Sequence, residues 1–310
     1  MVSVVIPLYN VEPYICRCLD SVLGQSYKNI EIVVVDDCGT DRSVEIVEQY
    51  RERHPSIRLI HHDRNRGLMT TRRDGYMAAI GDFIVFLDSD DALPSDAVAT
   101  LMATEMLTDA DIVLGDLLKL YVNGRTERRV GSLEQPSAPT DVLAALIDDK
   151  IIHSLCGKLF KRSLFSDSLL SFDQLTILED GCLLYQLVAR ASTVVSANAM
   201  VYNYYENKAS SSLGIYDSSH IEGMIIAYKT IASMCGSYVQ LHDKLQRRLT
   251  HKMFTLYVEP VGVGTVRELL SKHGMHRYGS WRYAIKYLGL NDYWFLAKRF
   301  AYLRIKKGKK

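Results

Sequence analysis

Apolar runs and helical stripes alternate through the first third of the chain. Residues 3–8 are a near-continuous apolar run of strand length; Ile15, Cys18, Leu19, Val22 and Leu23 then share one helical face, which Gly24 stops. Pro13 suits the first turn of that helix, where a missing N–H does no harm. Residues 30–35, nearly all β-branched, predict a second strand ending in Asp36-Asp37. Asp41 predicts a cap for a helix that turns Val44, Val47 and Tyr50 inward. Further strands are expected over 57–60, 83–87 and 112–114, with helices over 67–80 and after Ser95 or Asp96.

Continuously apolar strands spaced by helices imply a parallel sheet covered on both faces. Ligands of such sheets sit beyond the carboxyl ends of the strands. Those ends hold Tyr9-Asn10, Asp36-Asp37 and Asp88-Ser89-Asp90-Asp91. Beyond Gly115 the pattern loosens: 130–140 reads as loop, 141–147 and 180–188 as helix, 194–205 as strand, and the chain from Ser218 onward mostly as helix.

A length of 310 residues, 48% hydrophobic and 24% charged, fits an ordinary globular protein of about two domains. The net charge of +1 excludes the strongly basic footprint of a nucleic-acid binder, so any charge logic is local. Six cysteines without a C-x-x-C pair read as reduced thiols and set a cytoplasmic expectation. No basic segment precedes the first apolar run, so no signal peptide is expected, and no run approaches the ~20 apolar residues of a membrane span.

Several carboxylates in one turn repel unless a cation or donors neutralise them. Asp88 to Asp91 is therefore either a solvated turn before a helix or a sparse oxygen site for Mg²⁺ or Mn²⁺, completed by phosphate and water. Asp36-Asp37 is either an Asx turn helped by Gly39 or an acceptor for a ligand N–H or hydroxyl. Arg72 could meet phosphate oxygens or simply be solvated. Glu179-Asp180 suits a helix N-terminus as a dipole-friendly pair. His61-His62, without further ligands, reads as surface. The tail from Tyr293 is basic, with Trp294, Phe295, Phe300 and Tyr302 interleaved; it is a frayed terminus or a helix lying on an anionic leaflet, with nucleic-acid binding a weaker third option.

The ordered set of motifs resembles the inverting family-2 glycosyltransferases of GT-A fold over residues 1–212. It comprises Val4-Val5-Ile6-Pro7-Leu8-Tyr9-Asn10, Val35-Asp36-Asp37, Asn65-Arg66-Gly67 with Arg72, and Leu87-Asp88-Ser89-Asp90-Asp91. Lys158-Leu159-Phe160, Glu179-Asp180 and Tyr202-Asn203-Tyr204 leading to Ser210 complete it. The chain departs from the family in having Tyr205 where an arginine often follows the Tyr-x-Tyr.

The resemblance implies an α/β GT-A fold: a mostly parallel central sheet flanked by helices, with a helical C-terminal extension. It implies a donor-binding half (1–115), an acceptor-side half (116–215) and a helical region (216–310). It places Pro7, Tyr9, Asp36, Asp37, Arg72, Asp88 and Ser89 around a nucleotide sugar, Asp88 and Asp90 on Mn²⁺ or Mg²⁺, and Asp180 as general base beside Glu179. The expected reaction transfers a hexose or N-acetylhexosamine from a UDP-sugar to a glycan or lipid-linked acceptor, with peripheral contact to an anionic membrane. A non-catalytic nucleotide-sugar binder and a receiver-like phosphoacceptor domain around Mg²⁺ are the alternatives.

Overall fold

The computed structural model describes residues 1–131, 133, 137–165, 175, 177–207, 217–256 and 263–279. Two compact units divide the chain. The first comprises Met1–Asp173 with Gln186–Ser210; the second comprises Gln174–Tyr185 with Ser211–Lys310.

In the first unit, β1 (Val2–Leu8), α1 (Ile15–Leu23), β2 (Ile30–Asp36), α2 (Ser43–Arg53), β3 (Ile57–His61), α3 (Leu68–Ala78) and β4 (Phe83–Phe86) alternate as expected. Helix α4 (Ala97–Thr108), β5 (Ile112–Leu120), β6 (Thr126–Arg129), α5 (Pro139–Ile147) and β7 (Lys158–Lys161) follow. Helix α6 (Glu179–Arg190) straddles the division, and β8 (Val194–Tyr205) returns to the sheet. Every residue of β1 is buried, which explains its near-continuous apolar run. Val47 is buried on α2, while its neighbours Val44 and Tyr50 are only half-buried.

Among the described residues the strand order is β3-β2-β1-β4-β7-β5-β6, with β8 beside β5. Strands β3, β2, β1 and β4 run parallel, but β7 enters antiparallel between β4 and β5, and β6 pairs antiparallel with β5. The sheet is therefore mixed beyond its first half. Strand β7 is hard to see in sequence because it is short and carries a lysine at each end. Lys158 is fully buried, and its Nζ donates to the Ser154 and Ile152 carbonyls at 2.6 and 3.2 Å. Strand β5 runs past its expected end because buried Asp116 is satisfied by the Gly131 N–H at 2.8 Å and Arg128 Nε at 3.0 Å.

Two residues show how tightly the site's scaffold is built. A Cβ on Gly75 of α3 would stand 2.4 Å from Val5 Cγ1, so only glycine lets this helix lie on β1. Pro7 sits in the middle of the sheet without disrupting it. Val5 bonds toward the β4 side, so Pro7 faces that side too, beyond the last paired residue of β4.

The second unit contains α7 (Ser218–Cys235), α8 (His242–Thr255), α9 (Val263–Lys272) and the first turns of α6. Ile221, Ile225, Leu249, Met253, Val266 and Leu270 form its core. Asp217 caps α7 through the Ser219 and His220 N–H groups at 2.9 and 3.0 Å. No described helix is long and apolar enough to cross a membrane. The basic aromatic tail and Ser210 lie outside the described residues.

Candidate active site

Strands β2, β1 and β4 end side by side. Leu8 pairs with Asp36, Val5 pairs with Phe86, and the N–H groups of Asp37 and Leu87 bond the Leu8 and Val5 carbonyls at 2.9 and 3.0 Å. The polar residues that follow each strand consequently share one edge. Tyr9 is 49% exposed there, whereas Pro7 and Ser89 are buried.

Asp36 forms the anticipated Asx turn, accepting from the Gly39 N–H at 3.0 Å, and its other oxygen faces His61 Nδ1 at 3.2 Å. Asp37 is bound more extensively. Its Oδ1 accepts from the Arg66 N–H at 2.7 Å and lies 2.7 Å from His62 Nδ1; its Oδ2 accepts from the Gly67 N–H at 2.9 Å. Gly67 adopts a φ of 84°, which brings that N–H inward at the start of α3 at no steric cost.

The acidic turn after β4 is neutralised piece by piece. The buried guanidinium of Arg72 donates to Asp88 Oδ1 at 2.6 Å, and the Cys156 thiol donates to Asp88 Oδ2 at 3.5 Å. Asp90 Oδ2 accepts from Asn207 Nδ2 at 3.5 Å; burial, then the charge of Asp88, raises Asp90 above the usual carboxylate range. Asp91 is 1% exposed and accepts from the Tyr202 hydroxyl at 2.7 Å and the Tyr205 N–H at 2.8 Å. Burial, then its acidic neighbours Asp88 and Asp90, pushes Asp91 up to about 8. Asp91 thus anchors β8 while Asp88 and Asp90 keep access to solvent.

This donor set fits a hard divalent cation. Asp88 and Asp90 offer carboxylate oxygens one residue apart, and Asp90 Oδ1 makes no hydrogen bond among the described residues. Mg²⁺ and Mn²⁺ accept such sparse protein ligation when phosphate and water complete the sphere.

Glu179 and Asp180 open α6 in the second unit, both half-buried in the first turn, where the helix dipole favours carboxylates. Leu178 just before them has φ 61°, a left-handed conformation that costs a bulky residue about 1–3 kcal/mol.

The site contains residues to which the sequence pattern assigned no part in it. His62 is buried, contrary to the surface reading of the His61-His62 pair; only His61 is exposed. The Tyr202 hydroxyl accepts from the Asp88 N–H at 3.2 Å while donating to Asp91, which ties β8 to the acidic turn. The guanidinium of Arg17 lies 3.6 Å from the ring centroid of Tyr205 and donates to the Asp90 carbonyl. Each works through a partner distant in the chain, so periodicity carries no trace of it.

Residues 3–169 match Glycosyl transferase family 2. Glycosyltransferase GlyA of Streptococcus pneumoniae is 32% identical over 223 residues, covering 67% of this chain and 31% of that protein. Poly(ribitol-phosphate) beta-glucosyltransferase of Bacillus spizizenii is 33% identical over 210 residues, covering 66% and 32%. The chain thus spans about a third of the length of either relative. Among solved structures, residues 1–349 of Staphylococcus aureus TarS in complex with UDP superpose with a TM-score of 0.71 at 19% identity, covering 97% of this chain and 88% of that one. That likeness carries the fold, a GT-A sheet with flanking helices and a helical extension. With the motifs of residues 1–212 in order and more than half the chain matched, the protein belongs to glycosyl transferase family 2.

Proposed function

We propose that this protein is an inverting glycosyltransferase that moves a hexose or N-acetylhexosamine from a UDP-sugar to a glycan or lipid-linked oligosaccharide. The observation that carries the reading is that Asp37 follows β2 while Asp88 and Asp90 follow β4, the two strands that flank β1, with Arg72 against Asp88. The UDP bound to TarS and the glucosyl transfer in the name of the Bacillus relative agree with it.

In this reading residues 1–115 hold the donor. Tyr9 packs on the uracil above Pro7, Asp37 accepts from its N–H with Asp36 behind, and Ser89 and Asp88 line the ribose. Mn²⁺ or Mg²⁺ on Asp88 and Asp90 would supply a Lewis acid for the leaving diphosphate. Arg72 keeps Asp88 oriented toward the diphosphate. Residues 116–215 shape the acceptor side, and residues 216–310 form the helical region whose basic tail meets an anionic membrane surface at the cytoplasmic face.

Asp180, with Glu179 beside it, takes the proton from the acceptor hydroxyl as that oxygen attacks the anomeric carbon. The bond to the diphosphate breaks on the opposite face, so one displacement inverts the configuration.

A thermal-shift panel of nucleotides with Mn²⁺ tests the donor assignment. UDP at 100 times its Kd should add about 2.7 kcal/mol of stability, and GDP and CDP much less. No response to UDP overturns it. Stabilisation by a UDP-sugar with no UDP release in the presence of lipid-linked acceptors would identify a non-catalytic binder instead.

A further inference from the structure

Asp37 is held by a histidine that nothing in the transfer chemistry requires. The His62 side chain is 3% exposed, and both of its ring nitrogens face carboxylates: Nδ1 lies 2.7 Å from Asp37 Oδ1, and Nε2 lies 3.0 Å from Asp74 Oδ2 on α3. Arg66 Nη1 donates to the same Asp74 oxygen at 2.7 Å, while the Arg66 N–H reaches Asp37. The imidazole is a rigid strut between the end of β2 and the first turns of α3.

The strut fixes what Asp37 has left to offer. An ionised carboxylate has about four lone-pair sites. Two on Oδ1 are occupied by His62 and Arg66, and one on Oδ2 by Gly67. One acceptor site remains, on Oδ2 of a carboxylate only 4% exposed, an opening suited to a single N–H. Rotation of the carboxylate would move that acceptor and break the Oδ1 bonds together. Asp36 next door contrasts: its ring partner, His61, is 49% exposed and so a looser brace.

We propose that His62 is a positioning residue for nucleobase recognition, acting through Asp37 to aim its one remaining acceptor. The inference rests on the assignment of Asp37 to the donor base.

Two replacements separate the two ends of the strut. The amide of an asparagine can stand where Nδ1 stands and keep the bond to Asp37; the amide of a glutamine reaches toward Nε2 and keeps only the bond to Asp74. Calorimetric titration with UDP and with pyrophosphate, both with Mn²⁺, compares a ligand that has a base with one that lacks it. His62→Gln and His62→Ala should weaken UDP about tenfold, the loss of one hydrogen bond to a charged group. His62→Asn should stay within about threefold of the parent, and pyrophosphate affinity should hold in all three. A merely structural role predicts parallel losses for both ligands, tracking the melting temperature. Equal UDP affinity in the Asn and Gln variants, or equal losses for UDP and pyrophosphate, overturns the proposal. Asp37→Asn tells the two failures apart. If it leaves UDP affinity intact, the base assignment itself is wrong; if it weakens UDP while the His62 variants do not, only the strut is.

Discussion

Arg72 Nη2 stands 2.6 Å from Asp88 Oδ1, with the arginine side chain 1% exposed and the aspartate 32%. The pair brings a buried cation to a turn that also carries Asp90 and Asp91. Removing one partner of a buried pair costs about 3–5 kcal/mol. Asp88 keeps one side in water, so Arg72→Met should cost about 3 kcal/mol in urea unfolding. Mn²⁺ should restore more of the melting temperature in this variant than in the parent, because the ion supplies the missing positive charge. A variant as stable as the parent, with no added response to metal, would make the pair a bystander.

Asp90 and Asp180 should fail in different ways. Asp90→Asn removes a charged oxygen donor, and UDP affinity should lose its dependence on Mn²⁺ while the fold persists. Asp180→Asn should bind UDP normally but transfer sugar about 10²–10⁴-fold more slowly, the usual contribution of a general base. Unchanged kcat in the second variant would remove Asp180 from that role.

Tyr202 is fully buried and bridges two members of the acidic turn, donating to Asp91 and accepting from the Asp88 N–H. Tyr202→Phe leaves both groups without that partner at nearly constant volume, at a cost of about 1–3 kcal/mol. Donor affinity should fall as well, since the Asp88 backbone loses its tie to β8. Chemical denaturation and UDP titration of the same preparation measure both effects.

Lys252 in α8 supplies a pH signature for the second unit. Burial, then the nearby Arg248, lowers it to about 8 from an ordinary value of 10.5. Between those values the unfolded chain binds the proton and the folded chain does not, so this group makes stability rise as pH increases from about 8 to 10.5. Below about 8 the folded state must hold the ammonium in its partly buried position. Lys252→Met should be more stable than the parent at pH 7, with the difference shrinking toward pH 10.5. A constant difference between the two urea midpoints across that range would contradict this.

Much of the fold of residues 1–115 was legible in the amino-acid sequence. Strands at 3–8, 30–35 and 83–87 show because nearly all their side chains are buried, which forces near-continuous apolar runs, whereas the edge strand at 57–60 is fully buried only at Ile57 and shows by its short apolar pattern alone. Strand β7 and the second half of β5 did not show, because Lys158 and Asp116 are buried polar groups whose partners come from other segments, loop carbonyls for Lys158 and Arg128 of β6 with the Gly131 N–H for Asp116. A helical or strand period reports burial by oil-like residues and is silent about a satisfied charge.

The amino-acid sequence by itself determined the alternation of strands and helices, the acidic strand ends and the family, since each is written in local pattern or in the order of motifs. Only the tertiary structure decided the division of labour among the acids: Asp91 anchors β8, Asp88 pairs with Arg72, Asp90 retains an open oxygen, and Asp37 is braced by His62. Those roles depend on desolvation and on neighbours from remote segments, quantities that exist only once the chain has closed on itself.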